Sequence, residues 1–209
     1  MDPLTIGTMV YEYVGTVDLH HKNFICSDPC YQDQEQGYTA FGLPCRMWDV
    51  WVLRQDCDDW GWRNGRLILT REGMRPIHEY FKGTRLSETI GVDSGTAGFF
   101  DIEAYGDRSE NYLQVPFYRW KEEKKEDILA LTDKEKWFRM CADRTLSRKS
   151  GVGLIPNGVV SSAGLGDGCY ELWEMSGNQA AKATQGLVSY PGKEAVQFTL
   201  VFLPEDFGE

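Results

Sequence analysis

Residues 195–203 alternate in a strict period of two, with Val196, Phe198, Leu200 and Phe202 on one side. Such a run is long enough to form a strand with one face against a core, and a helix cannot bury that set on a single stripe. Shorter segments of the same kind recur along the chain. Met9–Asp18 is rich in Val, Tyr and Thr, and residues 23–26 form a second short candidate. In residues 47–53, Trp48, Val50 and Val52 oppose Trp51 and Leu53. Residues 89–92, 98–104, 159–162 and 169–174 complete the set. Within residues 60–70, Asn64-Gly65 between two apolar arms predicts a hairpin with a type I′ turn.

One helix is expected, over about 132–147. Thr132 is its cap and Glu135 completes a capping box. Trp137, Met140 and Cys141 then follow at helical spacing. Many short strands and one helix predict a mainly β (or α+β) fold. The expected architecture is an antiparallel β-sandwich or half-barrel with one packed helix. The 209 residues read as a single domain, with a candidate surface insertion at 119–132 and an extended last hairpin at 177–195. Seven Trp, ten Tyr and ten Phe supply a thick aromatic core.

Charge narrows the partners. The net charge is −10, yet residues 119–149 hold ten basic and seven acidic side chains and so carry +3. A chain this acidic repels phosphate over most of its surface, so duplex nucleic acid is not an expected partner. No run approaches the about 18 apolar residues of a membrane span. The N-terminus, MDPLTIGTMV, lacks the basic start and apolar run of a signal peptide. A cytoplasmic protein is expected, with no membrane partner and as a monomer or homodimer. Its six cysteines are then free thiols. His20, His21, Cys26 and Cys30 form a weak zinc pattern, because a structural site usually shows CxxC pairs. No cofactor is expected.

Three segments concentrate polar chemistry. Residues 91–101, GVDSGTAGFFD, hold Asp93, Ser94, Thr96 and Asp101 among glycines. The order Ile90, Val92, Asp93, Ser94, Gly95, Thr96 resembles the catalytic turn of aspartic peptidases. That chemistry needs two carboxylates sharing a proton, and only one copy is present. Ser94 as a nucleophile would need His20, His21 or His78 as base, without a supporting motif. The third reading is structural: Asp93 and Ser94 bond local amides while glycines turn the chain. Residues 158–173 hold Ser161 and Ser162, then a loop with Gly164, Gly166, Asp167 and Gly168, then Tyr170. Glycines there let backbone amides approach a ligand, or simply close a hairpin. Asp56, Asp58 and Asp59 open like a calcium loop, but Leu67 stands where the closing Glu belongs.

In order, SDPCY (27–31), GVDSGTAGFFD, WFRMCADRTLS (137–147) and VVSSAGLGDGCYELW resemble an uncharacterised bacterial and phage family, domain of unknown function 4241 or a close relative. The resemblance covers roughly residues 20–175. It implies no activity, but it implies that the Asp/Gly/Ser segments belong together. The expected site therefore joins Asp28, Tyr31, Asp93, Ser94, Thr96, Asp101, Ser161, Ser162, Asp167 and Tyr170 at one end of the sheet. Asp93, Asp101 and Asp167 would line a polar pocket there. The function expected is a non-catalytic binding protein of bacterial or phage origin, holding a small polar ligand or a partner protein. The alternatives are a hydrolase using paired carboxylates and an acidic inhibitor or nucleic-acid-mimicking phage accessory protein.

Overall fold

The computed structural model describes residues 4–6, 9–31, 37–106, 131–185 and 192–204. Two antiparallel sheets pack face to face. The strands are β1 (Leu4–Ile6), β2 (Met9–Asp18), β3 (Phe24–Ser27), β4 (Tyr38–Ala40), β5 (Met47–Asp56), β6 (Trp62–Arg71), β7 (Thr84–Val92), β8 (Thr96–Phe100), β9 (Val152–Ile155), β10 (Gly158–Ser162), β11 (Gly168–Ser176) and β12 (Ala195–Val201). One sheet has the order β1-β2-β5-β6-β12-β11-β7, and the other β4-β3-β8-β10-β9. The protein is thus a β-sandwich with packed helices.

Alternation explains the layers. Trp48, Val50 and Val52 of β5 join Leu67 and Leu69 of β6 in the core between the sheets. Trp51, Leu53 and Ile68 point the other way and pack with Tyr11 on the outer face. An edge-on aromatic contact ties the two sheets: Phe24 of β3 lies 4.9 Å from Phe198 of β12, and 5.2 Å from Phe99 of its own sheet, between ring centres. Helix α1 (Asp133–Leu146) begins with the Thr132–Glu135 capping box. It covers the outer face of the smaller sheet, where Trp137, Met140 and Cys141 meet Ile25, Phe100, Ile155 and Val160. A second short helix, α2 (Gly177–Ala183), sits in the connection from β11 to β12 and has its own Ser176–Gln179 capping box. Ala180 and Ala183 pack on Met74, Ile77, Met175 and Val196. Among the described residues no helix is long and apolar enough to cross a membrane. Most of the candidate insertion at 119–132 lies outside the described residues.

Two local expectations are corrected. Asn64-Gly65 is not a hairpin turn, because β6 runs through it and the chain reverses instead at residues 57–61. There Asp58 (φ 49°) and Gly61 (φ 66°) take the left-handed conformations that the reversal needs. Asn64 and Gly65 sit beside a bulge opposite Leu53–Arg54. They are held by tertiary bonds: the amides of Phe202 and Leu203 both donate to the Gly65 carbonyl. Val196 also leaves the face shared by Phe198, Leu200 and Phe202. A register shift between Met175 and Ser176 makes it the extra residue of a bulge, and it joins the outer cluster under α2.

Candidate functional site

Register decides which loops meet. Ser162 at the end of β10 pairs with Thr96 at the start of β8, and Ser161 pairs with Val152 at the start of β9. The loops before β8, before β9 and after β10 therefore share one end of the sandwich. The loop after β3 joins them, because the Asp28 carboxylate reaches the turn before β8.

Asp28 is fully buried and its carboxylate is spent inside the protein. Oδ2 accepts from the amides of Asp93 (2.8 Å) and Ser94 (2.7 Å). Oδ1 accepts from the Ser94 hydroxyl (2.6 Å) and the Cys30 amide (2.8 Å). Ser94 Oγ also lies 2.8 Å from Thr96 Oγ1. Tyr105 closes the back of the loop by donating its hydroxyl to the Asp28 carbonyl at 2.7 Å. The Asp-Ser-Gly turn is thus clamped by a buried acceptor, and Gly95 takes φ +67° to complete it. Asp93 itself is exposed and hydrogen-bonded to Tyr31. Burial, with the Asp93 carboxylate beside it, pushes the Tyr31 phenol above its ordinary range.

Tyr170 is likewise a pin. Its hydroxyl donates to the Gly166 carbonyl at 2.7 Å and its ring meets Phe202 edge-on. Burial, then the nearby Asp167, raises its pKa. Ser161 is buried, and Ser162 is half-buried. Both accept from Asn64 Nδ2, at 2.9 and 3.1 Å, so Asn64 bridges the two sheets below the loops.

Asp101 does not belong to this end. It follows β8 while Asp93 precedes it, and five residues of strand separate them by about 16 Å. Asp101 accepts from the His21 amide and bonds His21 Nδ1, both at 2.9 Å. The expected pocket of Asp93, Asp101 and Asp167 is therefore not formed, and Asp93 and Asp101 cannot act as a carboxylate dyad. The set His20, His21, Cys26 and Cys30 does not assemble either, because Cys26 is buried in the core. Among the described residues no three His, Cys, Asp or Glu side chains converge on one point.

What the loops do enclose is a cleft of about 190 Å³. Its lining is Gly95, Lys149, Ser150, Gly151, Ser162 and the segment 163–166 from the loops, and Arg54, Trp62, Arg63 and Asn64 from the β5–β6 hairpin. Gly151 has φ +64°, and a Cβ there would lie 2.6 Å from Ser162 Oγ, so glycine keeps this wall open. Among the described residues three cations line the cleft and no carboxylate does. Arg54 reaches Glu12 at 3.3 Å. Arg63 and Lys149 make no ion pair among the described residues. The Nε atoms of Arg54 and Arg63 are buried without an acceptor.

Sequence reasoning missed these cations. Arg54 and Arg63 are on neighbouring strands and Lys149 is far along the chain, so no spacing links them. The only signal was the +3 excess that ends at Lys149. Of the expected residues, Ser162 lines the cleft, while Asp93 and Asp167 are exposed and not among its lining residues. No family model, curated protein or solved structure matches this chain.

Proposed function

We propose that this chain is a non-catalytic binding protein that holds a small anionic ligand in the cleft between the β5–β6 hairpin and the loops before β9 and after β10. With the resemblance noted above, the reading places it among bacterial or phage accessory proteins. One observation carries it: in a chain of net charge −10, the described residues that line the cleft include three cations and no acid. Carboxylates elsewhere repel an anion at long range, so a local reversal of sign marks where one is held. Arg63 offers an oxyanion a two-pronged donor and Lys149 a point charge.

The chemistry of the serines supports binding over catalysis. Ser94 Oγ is committed to Asp28. His21 is held by Asp101 and His78 Nδ1 bonds the Tyr11 hydroxyl. A nucleophile–base pair needs a hydrogen bond between the two, and among the described residues Ser94 Oγ bonds Asp28 and Thr96 and no histidine.

Calorimetric titration with inorganic phosphate tests the proposal. One site per chain is expected, weakened about tenfold by Arg63→Gln or Lys149→Gln, equivalent to about 1.4 kcal/mol each. Asp93→Asn should leave it unchanged. Binding that neither cation variant alters would overturn the assignment.

A further inference from the structure

Resting on the anion reading, a second property of the cleft bears on what the anion is attached to. Its lining is divided. Arg63, Lys149 and the Ser162 hydroxyl supply charge and donors, whereas Trp62 and Leu165 supply apolar surface. Trp62 is 46% exposed and Leu165 47%, while Trp48, Trp51 and Trp137 are almost wholly buried. Trp62 is therefore not serving the core. Its ring is backed by the Arg54 guanidinium, 5.6 Å from the centroid, which steadies the indole at the cleft wall. The cleft is also too large for an oxyanion alone. At about 190 Å³ it would hold several waters beside one, since a water fills about 30 Å³ of liquid.

A phosphate monoester bearing a planar ring would use both parts. Its phosphate would lie against the positive charges of Arg63 and Lys149, and its ring would lie on the Trp62 indole, where any heterocyclic base finds a π-face. The Asn64 amide nitrogen is not free to read the edge of the ring. Asn64, the amide side chain in the wall, has Nδ2 occupied by Ser161, Ser162 and the Gly151 carbonyl. Amines and polyamines find no counter-charge among the described residues, because none of those lining the cleft is a carboxylate. We infer that the ligand is a nucleoside monophosphate, with its phosphate on Arg63 and Lys149 and its base stacked on Trp62, bound with little preference among bases.

Titration of the full chain with adenosine 5′-monophosphate, ribose 5-phosphate and adenosine, followed by calorimetry and by tryptophan fluorescence, tests this. The nucleotide should bind about tenfold more tightly than ribose 5-phosphate, the worth of one stacked base. Trp62→Leu should abolish that advantage without weakening ribose 5-phosphate, and Trp62→Phe should keep most of it. Equal affinity for nucleotide and sugar phosphate, or an advantage that survives Trp62→Leu, overturns the inference and leaves the anion site standing. Adenosine binding as tightly as its monophosphate removes the role of phosphate and overturns both. No binding of any of the three, or of inorganic phosphate, removes the anion site itself.

Discussion

Asp28 and Ser94, 66 residues apart, are joined twice: the Ser94 hydroxyl donates to Asp28 Oδ1 at 2.6 Å and the Ser94 amide to Oδ2 at 2.7 Å. The bond crosses from the loop after β3 to the turn that leads from one sheet into the other. A carboxylate accepts on both oxygens, so it holds the Asp93 and Ser94 amides on one and the Ser94 hydroxyl and Cys30 amide on the other, whereas the NH2 of an asparagine could not accept the Cys30 amide. Asp28→Ala is expected to lower unfolding stability by about 3 kcal/mol or more, because it strands several buried donors. Asp93→Ala, at the exposed partner, should cost less than about 1 kcal/mol. Chemical denaturation of the two variants checks the contrast.

The unpaired cations predict an inverse relation between binding and stability. Arg63→Gln and Lys149→Gln break no ion pair among the described residues. Each should leave the melting temperature equal or higher while weakening phosphate. Raising salt should weaken binding to the wild type as well, since part of the attraction is screened over about 10 Å at 0.1 M. Thermal melts with and without phosphate at two ionic strengths check this.

Gly151→Ala should close the cleft. The added Cβ falls 2.6 Å from Ser162 Oγ at a backbone angle unfavourable to L side chains. Loss of phosphate binding together with a lower melting temperature is the expected result.

At the opposite end, His21 supplies a pH dependence. Its pKa is raised, chiefly by the hydrogen bond to Asp101, with Glu103 adding charge. A raised histidine pKa means that the folded state binds the proton more tightly than the unfolded chain does. The stabilisation is therefore fully present below the unfolded value of about 6.5 and is lost as pH rises through the higher folded value. Denaturation midpoints measured from pH 6 to 8 should fall across that window, and His21→Gln should flatten the slope.

Much of the fold was legible because burial follows side-chain alternation. Trp48, Val50 and Val52 alternate with Trp51 and Leu53, which sets β5 between two apolar layers. The Thr132–Glu135 box likewise marked the start of α1. What failed was decided by partners distant in sequence. Asn64-Gly65 has the composition of a turn, but Asn64 finds Ser161 and Ser162 across the sandwich and Gly65 takes the amides of Phe202 and Leu203. Asp101 shares a short segment with Asp93, yet the strand between them sends the two to opposite ends. The cations of the cleft meet only through β5–β6 pairing and the β9–β10 hairpin, a convergence that residue spacing does not carry.

The most direct test of the central claim is an amide NMR titration with inorganic phosphate. If the cleft is the anion site, the amides of Gly95, Gly151, Gly164 and Gly166 should shift together along one saturable curve, and Arg63→Gln should move that curve to higher phosphate. Saturable shifts confined to the His21–Asp101 end, or no saturable shift among those four glycines, would contradict it.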